Sequence, residues 1–358
     1  MGASQTMGEI EDAQITLWVG TSNAKYGGIA IHELKQLFPS FKLHWFIPGD
    51  VFMFAVAEAH KSVIQRIRGK EPIFLRHIQP AQLELTADVV AKIQFDHLPE
   101  FNQMLSPYNL AHKRVAVHVR KANQTVELFS SPLQLKQTID AILMRQYEAI
   151  PCVQQMDYMI SIFLHAEKVY VGVSQPEEQL SSWSGGAIHY RKSDKDISRA
   201  KFKLMEAEER LPINFRQYRM ALDLGAAPGG WSSFLLERGV QVTAVDPAKM
   251  HPSLLQHLGF QHLRMTAAEL PIQPDMYDLI VCDMSWDPFQ MANALKSILS
   301  SLISGGAVIA TIKLMHDKPL STLRSIEQIL RPYLILRKAK QLFHNREELT
   351  TLWLKVDG

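Results

Sequence analysis

Short apolar runs change period along the chain in a way that separates strands from helices. "ITLWVG" and the two halves of "FKLHWFIPGDVFMFAVA", which flank a Pro-Gly-Asp turn, alternate or run apolar as strands do. "GGIAIHELKQLF" and "AHKSVIQRI" carry helical spacing. This alternation predicts a small α+β domain. A second unit begins near Pro107, with "KRVAVHVRK" as a strand, "SPLQLKQTIDAILMRQ" as a capped amphipathic helix and "DYMISIFLHAEKVYVGV" as a hairpin. From Ser198 the pattern changes again. "ALDLGAA", "VQVTAVD", "LIVCDM" and "GGAVIATIK" are apolar runs of the kind found in parallel strands buried on both faces, alternating with helical stretches. They predict a doubly wound α/β domain. Between the units, Ser174 to Asp196 is rich in Ser, Gly and charge and has the character of a linker. The expected domains are 1–100, 101–180 and 181–358.

A chain of 358 residues exceeds the size of a single stable core, which agrees with several domains. Basic and acidic residues nearly balance, 38 against 36, so the net charge of +2 identifies no nucleic-acid partner and any such surface must be local. Cys152 and Cys282 lack disulfide-framework or metal-ligand spacing, so no metal is expected and a reducing cytoplasm fits best. No apolar run has membrane-spanning length, so no membrane partner is expected, and the absence of heptads leaves the oligomeric state open. Cations at Lys113, Arg114, Arg120 and Lys121 flank one strand, as a solvated terminus or as a phosphate-contacting edge.

Ligands of a doubly wound sheet sit beyond the carboxyl ends of its strands, where the order of connection reverses. The first such end is "DLGAAPGGWS", in which Gly225, Gly229 and Gly230 allow a close backbone approach and Pro228 stiffens the turn before a helix that starts near Trp231. Asp246 closes the next strand, where an acid binds ribose hydroxyls in this architecture. A nicotinamide dinucleotide would require Gly-x-Gly-x-x-Gly, which is absent. The bend instead resembles motif I of S-adenosylmethionine-dependent methyltransferases.

Charged residues also sit where a core strand should carry none. Asp283 ends "YDLIVCDM", Lys313 ends "AVIATIKL", Glu348 precedes "LTTLWLKV", and Lys203 lies in "SRAKFKLMEA". Taken in order, "SRAKFKL", "DLGAAPGGWS", "CDMSWDP", "IATIKL" and "HNREELTTLWL" resemble the FtsJ-type RNA ribose 2'-O-methyltransferases. Within that group, "VYVGVSQPEEQLSSWSGG" and "REE" are similar to the RlmM type, which methylates large-subunit ribosomal RNA. The resemblance is strong from about Tyr170 to Lys355. It implies a C-terminal Rossmann-like methyltransferase domain, preceded by a ferredoxin-like domain and a THUMP-like RNA-binding domain.

The resemblance also implies S-adenosylmethionine as cofactor and a Lys-Asp-Lys-Glu tetrad at Lys203, Asp283, Lys313 and Glu348, with Glu347 as the alternative fourth member. The cofactor contacts it implies are Ser198, Gly225, Ala227, Pro228, Gly229, Gly230, Trp231, Asp246 and Asp283. Two positions depart from the family. Thr266 stands where the RlmM type has an acid for the adenine, leaving Glu269 or a backbone group to substitute, and Trp286 stands where a proline is frequent. Lys313 is the expected general base, with Lys203 as a neighbouring cation that lowers its proton affinity, aided by desolvation.

A 2'-hydroxyl exists only in RNA, so RNA is the expected partner, ribosomal RNA in particular. "HYRKSDKDISRAKFK" brings Arg191, Lys192, Lys195, Arg199 and Lys201 towards the cofactor edge, with Tyr190 and Trp183 close in sequence for stacking. A solvated linker is the competing reading of that charge run. "DMSWDP" lacks the paired prolines usual in methyltransferases acting on planar amines. The remaining alternative is a non-catalytic RNA-binding or ribosome-assembly factor that retains the fold.

Overall fold

The computed structural model describes residues 15–356, apart from 48–49, 93–94, 126–130, 195 and 316–317. The chain divides into two compact units, Met1–Ala187 and Ile188–Gly358, and the division falls inside the Ser-, Gly- and charge-rich segment.

The N-terminal unit holds two sheets. β1 (Ile15–Thr21), α1 (Gly27–Leu37), β2 (Lys42–Ile47), β3 (Val51–Ala57), α2 (His60–Gly69) and β4 (His77–Pro80) follow in βαββαβ sequence. Their strands form an antiparallel sheet in the order β2-β3-β1-β4, the ferredoxin-like arrangement. The second sheet, ordered β5-β9-β8-β6-β7, comprises β5 (Leu83–Thr86), β6 (Arg114–Thr125), β7 (Ile150–Pro151), β8 (Tyr158–Ala166) and β9 (Lys168–Ser174). Helices α3 (Ala87–Lys92), α4 (Pro99–Leu105) and α5 (Pro132–Tyr147) accompany it, and the Ser131 hydroxyl caps α5 by accepting from Gln134 N. Val19, Val51 and Met53 of the first sheet pack with Ala122, Phe163 and Tyr170 of the second, so the sheets share apolar contacts. Arg120 is not presented at an open strand end: its guanidinium lies 3.7 Å from Asp50, and burial lowers its pKa.

The C-terminal unit is a three-layer α/β structure. Its helices are α6 (Lys201–Arg210), α7 (Gly230–Glu237), α8 (Pro252–Leu255), α9 (Pro288–Ile298) and α10 (Pro319–Leu330). Its seven strands are β10 (Met220–Leu224), β11 (Gln241–Val245), β12 (Phe260–Leu263), β13 (Tyr277–Cys282), β14 (Leu302–Lys313), β15 (Leu334–Lys340) and β16 (Glu348–Lys355). They lie in the order β12-β11-β10-β13-β14-β16-β15. The first five are parallel, and β16 inserts antiparallel between β14 and β15. The order therefore reverses between β10 and β13, placing a ligand crevice at the ends of these two strands.

Both sheet faces are covered, which explains the apolar runs in the central strands. Leu279 and Val281 of β13 join the core beneath α6 and α7, while the alternating Ile280 and Cys282 are buried on the other face. Phe234 of α7 is central to that core. It is fully buried and meets Phe215 edge-on at 5.3 Å. Among the described residues, no helix is long and apolar enough to cross a membrane.

Replacing Phe234 with Ala should cost about 3–5 kcal/mol, because the ring leaves a cavity that neighbouring strands cannot close. Urea unfolding should record that loss in the C-terminal unit.

Candidate active site

The bend after β10 owes its shape to two glycines with positive φ, Gly225 at +71° and Gly229 at +116°. A Cβ on Gly225 would lie 2.6 Å from Met284 Cγ, and one on Gly229 would lie 2.1 Å from Leu254 Cδ1. The space freed by these glycines is thus filled by the protein's own side chains, and the bend is held tightly as well as bent sharply. Asp246 completes it: one carboxylate oxygen accepts from Ala227 N at 3.0 Å and the other from Ala248 N at 2.7 Å. Strand end, bend and acid form one hydrogen-bonded unit.

Ser198 lies against this bend, with its Oγ 2.2 Å from where a Cβ on Gly230 would stand. The hydroxyl is buried and has no hydrogen-bond partner among the described residues. A buried unpaired hydroxyl beside a helix N-terminus suits a polar ligand end, so these residues fit the polar end of a bound S-adenosylmethionine. Trp231 does not belong with these contacts. Its ring is buried in the core, and its indole N–H donates to Ala200 O at 2.9 Å, so its side chain joins α7 to the start of α6. At the adenine end, Thr266 N and Oγ1 both donate to Glu269 at 2.8 Å, so this glutamate is already engaged in capping a short turn.

Lys203, Asp283, Lys313 and Glu348 converge at the carboxyl edge of the sheet. Lys313 and Glu348 are register partners across β14 and β16, and the lysine donates to Glu348 Oε2. Lys203 reaches in from α6. It contacts both Asp283 oxygens at 3.0 and 2.9 Å and Glu348 Oε1 at 2.6 Å. Lys313 is also 3.5 Å from Asp283 Oδ1. Burial alone would lower the Lys203 pKa, but Asp283 and Glu348 overcome it and raise the pKa, so this lysine stays charged. Burial likewise works against an ionised Glu348, and the two lysines prevail, lowering its pKa.

Supporting contacts were not legible in the sequence. The Thr311 hydroxyl donates to Asp283 Oδ1 at 2.8 Å, and Asn345 Nδ2 donates to Glu348 Oε1 at 3.4 Å. Glu347 is exposed beside its buried neighbour Glu348.

A cavity of about 790 Å³ opens over Lys203, Lys313 and Glu348 and is also lined by Lys192, Arg199, Tyr190, Ser285, His344 and Arg346. Of the expected cationic track, Arg191, Lys192 and Arg199 are exposed, whereas Lys195 lies outside the described residues. Lys201 does not join the track: its ammonium is held by Asp196 and Glu237, both at 2.8 Å. Tyr190 stacks on His344 with ring centroids 5.2 Å apart, and its hydroxyl donates to Glu209 at 2.7 Å. Trp183 belongs to the other unit. Trp286 is 40% exposed, just ahead of α9.

Asp223 is a further buried acid on β10, bonded to Ser232 Oγ at 2.6 Å. Burial pushes its carboxyl up to about 7, with Asp283 and Asp246 adding to the rise and Ser232 opposing it. The folded state therefore holds this proton more tightly than the unfolded chain, and stability falls as pH rises from the ordinary 3.8 towards 7. Asp223→Asn removes that dependence. Relative to the parent protein, the variant should gain about 2 to 3 kcal/mol in unfolding free energy between pH 5 and pH 8.

Residues 197–325 match the FtsJ-like methyltransferase family. Ribosomal RNA large subunit methyltransferase M from Halorhodospira halophila is 34% identical over 192 residues, covering 53% of this chain and 55% of the relative. The protein of the same name from Teredinibacter turnerae is 31% identical over 216 residues, covering 56% and 60% respectively. The chain spans about half the length of the curated relatives it matches. Among solved structures, TrmN from Thermus thermophilus aligns over 95% of this chain and 100% of its own, with a TM-score of 0.38 and 14% identity. The chain therefore carries an FtsJ-like methyltransferase domain over residues 197–325, and it is similar to the large-subunit ribosomal RNA methyltransferases M.

Proposed function

We propose that this protein methylates a ribose 2'-hydroxyl of large-subunit ribosomal RNA, using S-adenosylmethionine. The observation that carries the reading is the meeting of two lysines and two acids at the carboxyl edge of the sheet, with Lys203, Lys313 and Glu348 lining one cavity. When bound, the cofactor supplies an electrophilic methyl group on a positively charged sulfur. The protein's remaining tasks are alignment and removal of one proton from a weakly acidic hydroxyl.

Lys313 Nζ is the group that takes that proton, and it must be neutral when the hydroxyl arrives. The cluster is charge-balanced as it stands, two ammonium groups against two carboxylates. Once Lys313 has lost its proton, Lys203 remains as the cation that holds Asp283 and Glu348 in place, and it disfavours recharging of its neighbour. Asp283 and Glu348 orient both amines and the acceptor sugar. The exposed Lys192 and Arg199 at the cavity supply phosphate contacts that depend on salt. The cytoplasm, where ribosomal RNA is available, is the proposed site of action.

Methyl transfer to in vitro transcribed, unmodified large-subunit ribosomal RNA is the direct test. The wild type should be active, and Lys313→Ala should lower the rate about a hundredfold to ten-thousandfold. Calorimetry should find S-adenosylmethionine binding almost unchanged in that variant. Transfer at the wild-type rate by Lys313→Ala removes the base assignment, and a wild type that binds RNA without transfer favours a non-catalytic assembly factor.

Asp246→Ala should show the converse pattern. Its affinity for S-adenosylmethionine should fall about tenfold or more, the range expected when a hydrogen bond to a charged group is lost. An unchanged calorimetric titration would release Asp246 from the ribose contact.

A further inference from the structure

A histidine that the proposed reaction leaves unused faces the same cavity. His344 lies in the loop between β15 and β16, near Lys203, Lys313 and Glu348 in the cavity lining. Its Nδ1 is 2.8 Å from Glu206 Oε2, on a carboxylate buried one turn beyond Lys203 in α6. The same carboxylate accepts Phe343 N at 2.6 Å and His344 N at 2.9 Å. An acid so placed takes three N–H donors, so Nδ1 carries a proton and, in the neutral ring, Nε2 is the acceptor.

The ring has little freedom to turn away. Tyr190 lies parallel to it at 5.2 Å with a 14° tilt, and Phe202 and Phe343 meet it edge-on at 5.5 and 5.2 Å. Nε2 makes no hydrogen bond among the described residues, although the side chain retains 16% exposure. Lys192, Arg199 and Arg346, which also line the cavity, are cations that suit phosphates, and Ser285 and His189 add neutral polar groups there. A ring so fixed, with Nε2 towards a cavity that takes a sugar-phosphate strand, suits a ligand hydroxyl.

We propose that His344 Nε2 accepts a hydrogen bond from a ribose hydroxyl of the bound RNA strand, with Glu206 as the positioning residue that sets its tautomer. The inference rests on the RNA methylation reading above. Hydroxyl recognition at this point would let the site favour RNA over DNA independently of the methyl-transfer step.

Two substitutions separate this role from a purely structural one. His344→Asn keeps an N–H donor at the Nδ1 position for Glu206 and removes the acceptor at the ε position. His344→Gln places an amide at the ε position. Affinities are measured by fluorescence anisotropy on the full chain, with unmodified large-subunit ribosomal RNA and with single-stranded DNA of the same sequence. His344→Asn should weaken RNA binding about three- to tenfold, the value of one net hydrogen bond, and leave DNA binding unchanged. KM for RNA should rise by the same factor with kcat within about twofold, and His344→Gln should recover part of the loss.

Wild-type RNA affinity in His344→Asn overturns the assignment, as does an equal loss on RNA and DNA. A wild type that transfers no methyl group, combined with an RNA-selective loss in His344→Asn, overturns the proposed reaction and supports the contact. A wild type that binds neither nucleic acid overturns both.

Discussion

The antiparallel pairing of β16 with β14 is the constraint on which the site depends. It sets Lys313 opposite Glu348, at the carboxyl edge where the parallel strands β10 and β13 also end. A slip of one residue would present Glu347 in place of Glu348 and turn alternate side chains to the other face. Such a slip is strongly opposed, because Leu349, Leu352 and Trp353 are all buried in the present register. Hydrophobic packing along β16 thus fixes the position of a carboxylate, and the carboxylate in turn holds two buried ammonium groups. Breaking a buried pair leaves an uncompensated charge, so the cluster contributes more to a defined geometry than to net stability.

A layer of neutral polar groups holds that geometry without adding charge. Thr311 and Thr350 lie on adjacent strands of the same sheet, where β-branched side chains have few rotamers and their hydroxyls keep fixed directions. Thr311 steadies Asp283, while Thr350 donates to Asn345, which donates to Glu348. Glu206 in α6 acts from outside that neutral layer, its buried carboxylate holding the β15–β16 loop by two backbone amides. The loop that carries His344 and Arg346 is therefore anchored to the helix that carries Lys203. The two sides of the cavity are set by the same helix.

The parts of this arrangement readable from sequence were those that broke a strong local pattern. Parallel strands buried on both faces require unbroken apolar runs, so Asp283 and Lys313 stood out as charges at run ends. The glycine bend was equally visible, because positive φ at Gly225 and Gly229 restricts those positions to glycine. Asp223 also interrupts an apolar run, but its place inside motif I drew attention to the glycines rather than to the acid. Contacts set by register or rotation were hidden. Glu347 and Glu348 adjoin, but Glu347 lies exposed just ahead of β16 while Glu348 is its first, buried residue. Lys201 and Lys203 sit two residues apart on α6, about 200° around the helix axis, so one meets Asp196 and Glu237 while the other enters the cluster. Trp231 was hidden for a related reason: motif proximity to the bend says nothing about the direction of its ring, which the core takes.

The contacts of the two lysines also bear on which one can act as a base in the proposed reaction. Lys203 has three close carboxylate oxygens, two from Asp283 and one from Glu348. Lys313 has one close oxygen, from Glu348, and a longer 3.5 Å approach to Asp283, whose nearer partners are Lys203 and Thr311. Each carboxylate contact favours the charged amine, and Lys203, whose pKa Asp283 and Glu348 raise, holds more of them than Lys313. The threonine strengthens this asymmetry, because a hydroxyl donated to Asp283 Oδ1 satisfies the oxygen that Lys313 would otherwise approach more closely. A cluster symmetric in composition, two amines and two acids, is thereby asymmetric in its contacts, with one neutral side chain on the strand of the proposed base occupying an oxygen of Asp283.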